Sequence, residues 1–388
     1  MPYTEEITPA SRRWDAIDAL RGLSIVLVVL HHVNLHLRVA KLDWASQMTR
    51  PLARIIFWNG ADGVLIFFAI SGFLITTMAR RRWGSLERPN LLQFYRLRAA
   101  RILPLLLALM ILLSALHLAG ARDFTIPAAQ CSLARAVAAA LTFHVNYLEA
   151  AVGYLPPNWD VLWSLAVEEV FYLFFPLLCL VLSRQRWIVL ALCAFVVLGP
   201  AMRVHYGNGL WAEYGYFCRM DAIAFGCLAA IFAPRLAARP RLTSVLAAVG
   251  GAMMFFILVA VRWWRLFPVI PWYFNWQLDD STLPLGTALV LLAASQNVGQ
   301  TNRAGARLLA PLRWFGRNSY EVYLTHMFVA NWGIQLYVAS RIGPRWSGPV
   351  NLLLLALAGL LGAGVARYYS EPANRRLRGL HLSGPARN

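Results

Sequence analysis

Ten stretches of this 388-residue chain are apolar for 15 to 24 residues, and no other feature limits the fold so severely. They run over 18–37, 56–79, 102–120, 162–183, 187–203, 216–233, 244–262, 284–298, 319–340 and 350–369. A bilayer core takes roughly 20 apolar residues per helix. A spanning segment must also satisfy its backbone groups internally, which favours helices. Only 14% of residues are charged and 59% are hydrophobic, whereas soluble domains carry about 25% charged residues. Mean hydropathy is +0.54. The expected fold is therefore an all-α polytopic membrane protein of about ten spans, joined by short loops, with no separate soluble domain.

Net charge is +18, almost all of it from arginine. In a soluble chain that excess suggests nucleic acid; beside apolar spans it is the cytoplasmic arginine bias. The heaviest clusters are Arg12–Arg13, Arg80 through Arg101, Arg184–Arg186, Arg235–Arg241, Arg303–Arg317 and Arg375–Arg378. All fall on one side, with both termini cytoplasmic, if the alanine-rich stretch 131–148 does not cross. We read 131–148 as re-entrant or interfacial. The expected division is a cytoplasmic segment 1–13, a membrane domain 14–371 and a cytoplasmic basic tail 372–388. Asp15 and Asp18 interrupt any signal-peptide pattern. The five cysteines lack C-x-x-C spacing and read as small buried hydrophobes.

Charged groups within spans are expensive and point to function. The first span carries Asp18, Arg21 and His32. Eleven residues bring Arg21 and His32 within about 20° of one helix face, roughly 16 Å apart. Asp18, three residues earlier, is placed to pair with Arg21. A basic anchor below an imidazole suits a long anionic donor threading inward. The competing reading is an interfacial arginine with a structural histidine. In WSLAVEEVFYLFFP, Glu168 and Glu169 lie two turns into a span, near the expected depth of His32. One carboxylate could orient a histidine base, while the other bonds an acceptor hydroxyl or braces a helix. Arg98 and Arg101 in FYRLRAARILP share a face at i, i+3 and could fork onto phosphate oxygens. Positive-inside flanking explains Arg80–Arg82 fully and competes for Arg98 and Arg101.

Weaker candidates complete the set. Ser71 and Gly72 lie mid-span, where small residues permit close helix approach. Arg219 and Asp221 begin a span and could pair with each other. His326, in SYEVYLTHMF, reads as structural or donor-side. No motif suggests a metal site, a P-loop or a serine nucleophile elbow.

These pieces together resemble acyltransferase family 3, the bacterial integral-membrane O-acyltransferases that act on carbohydrates. The resemblance runs from about Trp14 to Glu371. It rests on Arg21 with ten residues before His32, FFAISGFLIT at 67–76, R-x-x-R at Arg98 and Arg101, WSLAVEEVFYLFFP at 163–176, and SYEVYLTHMF at 319–328. The resemblance implies a multi-pass protein of the bacterial inner (cytoplasmic) membrane and acyl-CoA, by default acetyl-CoA, as co-substrate from the cytoplasm. It implies a carbohydrate acceptor in an envelope polysaccharide, lipid-linked oligosaccharide or secreted glycan, and no permanently bound cofactor or nucleic-acid partner. Carried over by position, His32 is the catalytic histidine and Arg21, Arg98 and Arg101 bind the donor; Glu168 sits in the acidic motif. His31 adjoins His32, but only His32 has the spacing to Arg21. Some members carry a second, soluble domain, for which this chain is too short.

The expected reaction is direct transfer, with His32 as base helped by Glu168 or Asp18, and with Glu169, Ser71, Trp163, Asp221 and His326 on the acceptor side or in support. An acyl-histidine relay uses the same residues. The rival from another class is a transporter or flippase of a lipid-linked or acylated glycan; against it stands the lack of duplicated halves. A non-catalytic scaffold leaves the Arg21–His32–Glu168 set unexplained.

Overall fold

Helix α1, Asp15–Val39, opens on acidic Asp15 and Asp18, the sign of charge a helix N-terminus favours. The computed structural model describes residues 15–42, 44–207, 209–261, 263, 269–296 and 307–379, and no strand occurs among them. The segment 1–13, most of the tail 372–388, Arg12–Arg13 and Arg303 lie outside the described residues. After α1 come α2, Arg50–Phe57, and α3, Gly60–Trp83, which ends on Arg80, Arg81 and Arg82. Helix α4, Leu91–Leu118, starts where the Asn90 side chain accepts from the Gln93 backbone N–H.

The stretch expected to be re-entrant forms two short helices, α5, Leu133–Leu141, and α6, Val145–Val152, of 9 and 8 residues. Phe143 breaks them with φ 58°. Each is only about 12–14 Å long, well short of a bilayer core. Next follow α7, Pro157–Asp160, α8, Leu162–Leu182, α9, Gln185–Tyr206, and α10, Leu210–Tyr214. Then come α11, Tyr216–Leu236, α12, Pro240–Phe255, α13, Pro271–Asn275, and α14, Asp279–Ala294. The last four are α15, Ala310–Arg317, α16, Ser319–Ala339, α17, Ser347–Val365, and α18, Glu371–Gly379.

Among the described residues, eight helical segments are long and apolar enough to cross a membrane. The ten expected spans include two that this measure leaves out. Helix α14 has only 16 residues. Helix α16 has 21, but Glu321, His326 and Asn331 interrupt its apolar run and are themselves buried.

Lipid gives helices no hydrophobic reason to associate, so close backbone packing matters more than in water. Two crossings show it. A Cβ on Gly72 of α3 would strike the Ile223 carbonyl of α11, and one on Gly226 of α11 would strike the Ala69 carbonyl of α3. Likewise Gly22 of α1 lies against the Leu312 carbonyl, and Gly316 of α15 against that of Asp18. Helix α15 also holds the start of α1 through Arg313–Asp15 at 2.5 Å and Arg317–Asp18 at 3.9 Å. Around these crossings one apolar core joins α1, α3, α8, α11, α14 and α16. A second lies among α4, α5, α6, Phe124, Trp159 and Phe328.

At the end of α9 far from Arg184, fully buried Arg203 bonds both oxygens of Asp221, at 3.1 and 3.0 Å. Asp221 also accepts from Ser281 at 2.6 Å and from the Ala222 N–H at 2.9 Å. Arg219 bonds Asp280 at 2.5 Å. The expected Arg219–Asp221 pairing is thus replaced by two pairs that tie α9, α11 and α14 together. Asp221 has no oxygen left for an acceptor; its place is in this lock. Removing one partner of a buried pair strands the other charge. Asp221→Asn should therefore lower stability by about 3–5 kcal/mol, read as a fall in the thermal unfolding midpoint in detergent.

Nearby, Glu149 on α6 is fully buried and accepts from the Leu155 N–H at 3.0 Å. Burial, then the charge of neighbouring Asp160, pushes its carboxyl well above the usual carboxylate range, with Glu213 adding to the effect. Above the ordinary carboxylate pKa the folded chain therefore holds a proton that the unfolded chain releases, so stability from this site declines as pH rises until the folded group also ionises. Glu149→Gln should flatten the decline, measured as the unfolding midpoint from neutral to alkaline pH.

Candidate active site

A cavity of about 660 Å³ opens among α1, α3, α4, α8, α16 and α18. Along α3 its lining runs from Val64 to Trp83, a rise of roughly 28 Å. Arg21, Arg98 and Arg101 all line it, together with Glu168, Glu169 and Ser71. Residues read as candidates from four separate sequence segments therefore share one space.

Each arginine but the first has an evident holder. Arg98 lies over the Tyr172 ring at 3.5 Å, a cation–π contact. Arg101 pairs with Glu321 at 3.2 Å and sits 5.1 Å from the Tyr320 ring centroid. Tyr320 in turn donates to the Ile102 carbonyl at 3.1 Å, joining α16 to α4. Glu168 accepts from Tyr172 at 2.5 Å and also from Ser71. Glu169 is buried on the same wall, within Coulombic reach of Arg98. The adjacent carboxylates thus have different surroundings, Glu168 gathering two hydroxyls and Glu169 lying buried towards Arg98. At the inner end of the cavity, Tyr323 donates to the Val161 carbonyl at 3.0 Å and meets Ser164 at 2.6 Å.

One turn beyond Tyr323 lies fully buried His326. Its Nδ1 is 2.7 Å from the Tyr323 carbonyl, and its Nε2 is 3.0 Å from Nδ1 of His32. A carbonyl oxygen only accepts, so Nδ1 of His326 carries the proton. With both rings neutral, Nε2 of His326 is then the acceptor and Nδ1 of His32 the donor. The lone pair of His32 is left on Nε2. This chain of two bonds fixes both tautomers.

The expected helpers of His32 are corrected accordingly. Asp18 lies fourteen residues away on the same straight helix, roughly 21 Å along the axis, and sits 3.9 Å from Arg317. Glu168 is held by Ser71 and Tyr172, one level below. The imidazole partner is His326, which sequence spacing alone marked only as structural or donor-side. Its signal was present in YLTH: a histidine three residues after a carbonyl it can reach within one turn. Trp163 lines neither the cavity nor the histidine pair. It stacks on Tyr214 with centroids 4.3 Å apart and serves packing. His31 is occupied elsewhere, bonding the Phe57 carbonyl at 2.8 Å and filling the space above Gly60. Among the described residues no three His, Cys, Asp or Glu side chains converge as metal ligands.

The chain matches, over residues 14–368, the profile of acyltransferase family 3, described as an acyltransferase domain. It is 24% identical over 362 residues to O-acetyltransferase OatA of Staphylococcus aureus strain NCTC 8325, an alignment covering 88% of this chain and 54% of that protein. To a putative O-acetyltransferase of Staphylococcus aureus strain MSSA476 it is 24% identical over 346 residues, covering 85% and 53% respectively. The chain spans about half the length of the curated relatives it matches. No solved structure matches. Since the family match runs through nearly all of its length, the chain belongs to acyltransferase family 3.

Proposed function

We propose that this protein is a membrane O-acyltransferase moving an acyl group, by default acetyl, from acyl-CoA on the cytoplasmic side to a hydroxyl of an envelope, lipid-linked or secreted glycan. The observation that carries the reading is the Tyr323–His326–His32 hydrogen-bond chain, whose first member, Tyr323, also lines the arginine-lined cavity, while the two imidazoles lie just behind that wall. The names of the relatives support transfer of an acetyl group to oxygen. In this account residues 14–371 form the catalytic membrane domain, with ten spans, cytoplasmic termini and the bacterial inner membrane as its site. Family membership weighs against a transporter or flippase.

In the reaction, the arginines hold the donor's phosphates and the thioester reaches towards His32. Nε2 of His32 takes the proton of the acceptor hydroxyl as that oxygen attacks the thioester carbonyl carbon. A C–O bond forms, the C–S bond breaks, and the departing thiolate takes the proton from Nε2. The products are an ester and the free thiol of CoA, and His32 returns to its starting state. A neutral imidazole suits the task because its ordinary pKa lies near 6.5. His326 keeps the ring pointed and, by accepting from Nδ1, favours the positive charge that builds on His32 as it takes the proton. Glu168, tied to Ser71 and Tyr172, shapes the wall that the donor arm passes.

The acceptor approaches from the other end of α1. One turn beyond His32, His36 is half-buried within Coulombic reach of Asp123, which accepts from Gln335 of α16 at 2.7 Å. Exposed Trp332 stands one turn before Gln335. Amide, carboxylate and indole groups are the kind that grip a sugar's hydroxyls and faces.

His32→Ala should abolish the ester mass increment on cell-envelope or secreted glycans while membrane levels stay normal, read by mass spectrometry against wild-type cells; an unchanged increment sinks the proposal. His326→Leu, which removes both bonds, should slow transfer by about 10²–10⁴-fold, the usual worth of positioned acid–base catalysis. His326→Gln retains one donor and one acceptor and should recover a substantial part of the rate.

A further inference from the structure

The cytoplasmic mouth of the cavity holds positive charge that the reaction above leaves unused. Arg82 lies in the last turn of α3 and Arg378 on α18, so the fold brings together residues from distant parts of the chain. Both line the cavity. Arg378 lies within Coulombic reach of Arg82 and of Arg101. Arg82 and Arg378 are exposed, yet they border one space from helices distant in sequence, with Arg101 next beyond Arg378, and like charges gathered at one opening draw an anion to it.

A second observation points to a ligand at the same mouth. Asn374, which lines the cavity on α18 one turn before Arg378, has a buried Oδ1 with no hydrogen-bond partner. Trp83 adds a half-buried aromatic surface beside Arg82. The mouth thus offers cationic forks, an unused amide oxygen and an indole face together. Arg82 stands eleven residues from Ser71 along α3, roughly 16 Å, so the mouth and the Ser71–Glu168 level are too far apart to serve one phosphate group.

We propose that the mouth is a phosphomonoester subsite, separate from the deeper arginines, in which Arg82 and Arg378 bind the 3′-phosphate at the nucleotide end of the donor. Trp83 and Asn374 lie beside the base, while Arg21, Arg98 and Arg101 serve the phosphates nearer the thioester. Planar guanidinium forks match the tetrahedral oxygens of a phosphate. The site therefore reads a long donor at both ends and discriminates against an arm that lacks the terminal phosphate. This inference rests on the reading of acyl-CoA as donor. An anionic lipid headgroup has the same phosphate chemistry and is the alternative source.

The test measures calorimetric binding of CoA and of 3′-dephospho-CoA to the full chain in detergent, for wild type, Arg378→Gln and Arg82→Gln. Wild type should bind CoA at least about tenfold more tightly than 3′-dephospho-CoA, a preference worth about 1.4 kcal/mol. Each variant should lose most of that preference while binding 3′-dephospho-CoA as wild type does, which also shows that it is folded. CoA affinity unchanged in both variants overturns the subsite. Loss of co-purified anionic lipid from the variants with CoA affinity intact assigns the mouth to lipid and overturns the nucleotide reading. Failure of wild type to bind either compound defeats the donor reading beneath it, a different result from an intact but indifferent mouth.

Discussion

A carbonyl oxygen cannot donate a hydrogen bond, and the proposed chemistry of this protein depends on that restriction at Tyr323. Its carbonyl claims the Nδ1 proton of His326 at 2.7 Å, so Nε2 of His326 is left to accept from His32 at 3.0 Å. The lone pair of His32 is thereby assigned to one nitrogen before any substrate arrives. His326 is buried, and Tyr323 is itself pinned by Val161 and Ser164 of the neighbouring helix. Preorganisation of this kind lets a base act without reorienting during the reaction.

The surroundings of that chain follow from what lipid forbids. Polar groups in an apolar bundle need partners, and here partners come in pairs that also fasten helices. Arg203 with Asp221 and Arg219 with Asp280 tie α9, α11 and α14. Glu321 holds Arg101 where the guanidinium still lines the cavity. Between helices, glycine at positions 72 and 226 lets α3 and α11 touch backbone to backbone. That contact brings Ser71 to the wall that Glu168 and Tyr172 share. Close packing, ion pairing and the shape of the cavity are thus one arrangement.

Local spacing in the sequence was a good guide wherever one helix carried the information. The i, i+3 pair Arg98 and Arg101 and the eleven-residue offset of Arg21 from His32 are properties of single helices, and the fold keeps them. The reading of 131–148 as a stretch that does not cross came from the arginine bias of the loops, and it forms two helices each too short to span. Contacts between distant segments were not legible. His32 and His326 lie 294 residues apart, so the nearer acids Asp18 and Glu168 were the obvious candidates for orienting the ring. Arg219 and Asp221 are neighbours in sequence, yet each takes a partner from another helix. Arg82 and Arg378 look like ordinary flanking charge until the fold sets them at one opening. Of the two helices least apparent by hydropathy, α14 is short and α16 carries buried polar groups, which is why their apolar signal is weak.

The tautomer of His32 is the most direct test of the whole account, since every assigned role converges on its bare Nε2. Nitrogen-15 NMR of histidine-labelled protein, with the His32 signals identified by their loss in His32→Ala, reports which ring nitrogen carries hydrogen. The account predicts a protonated Nδ1 and an unprotonated Nε2 in the resting protein at neutral pH, and loss of that fixed state in His326→Leu. A resting His32 with its hydrogen on Nε2 contradicts it, because the nitrogen assigned to take the acceptor's proton would already be occupied.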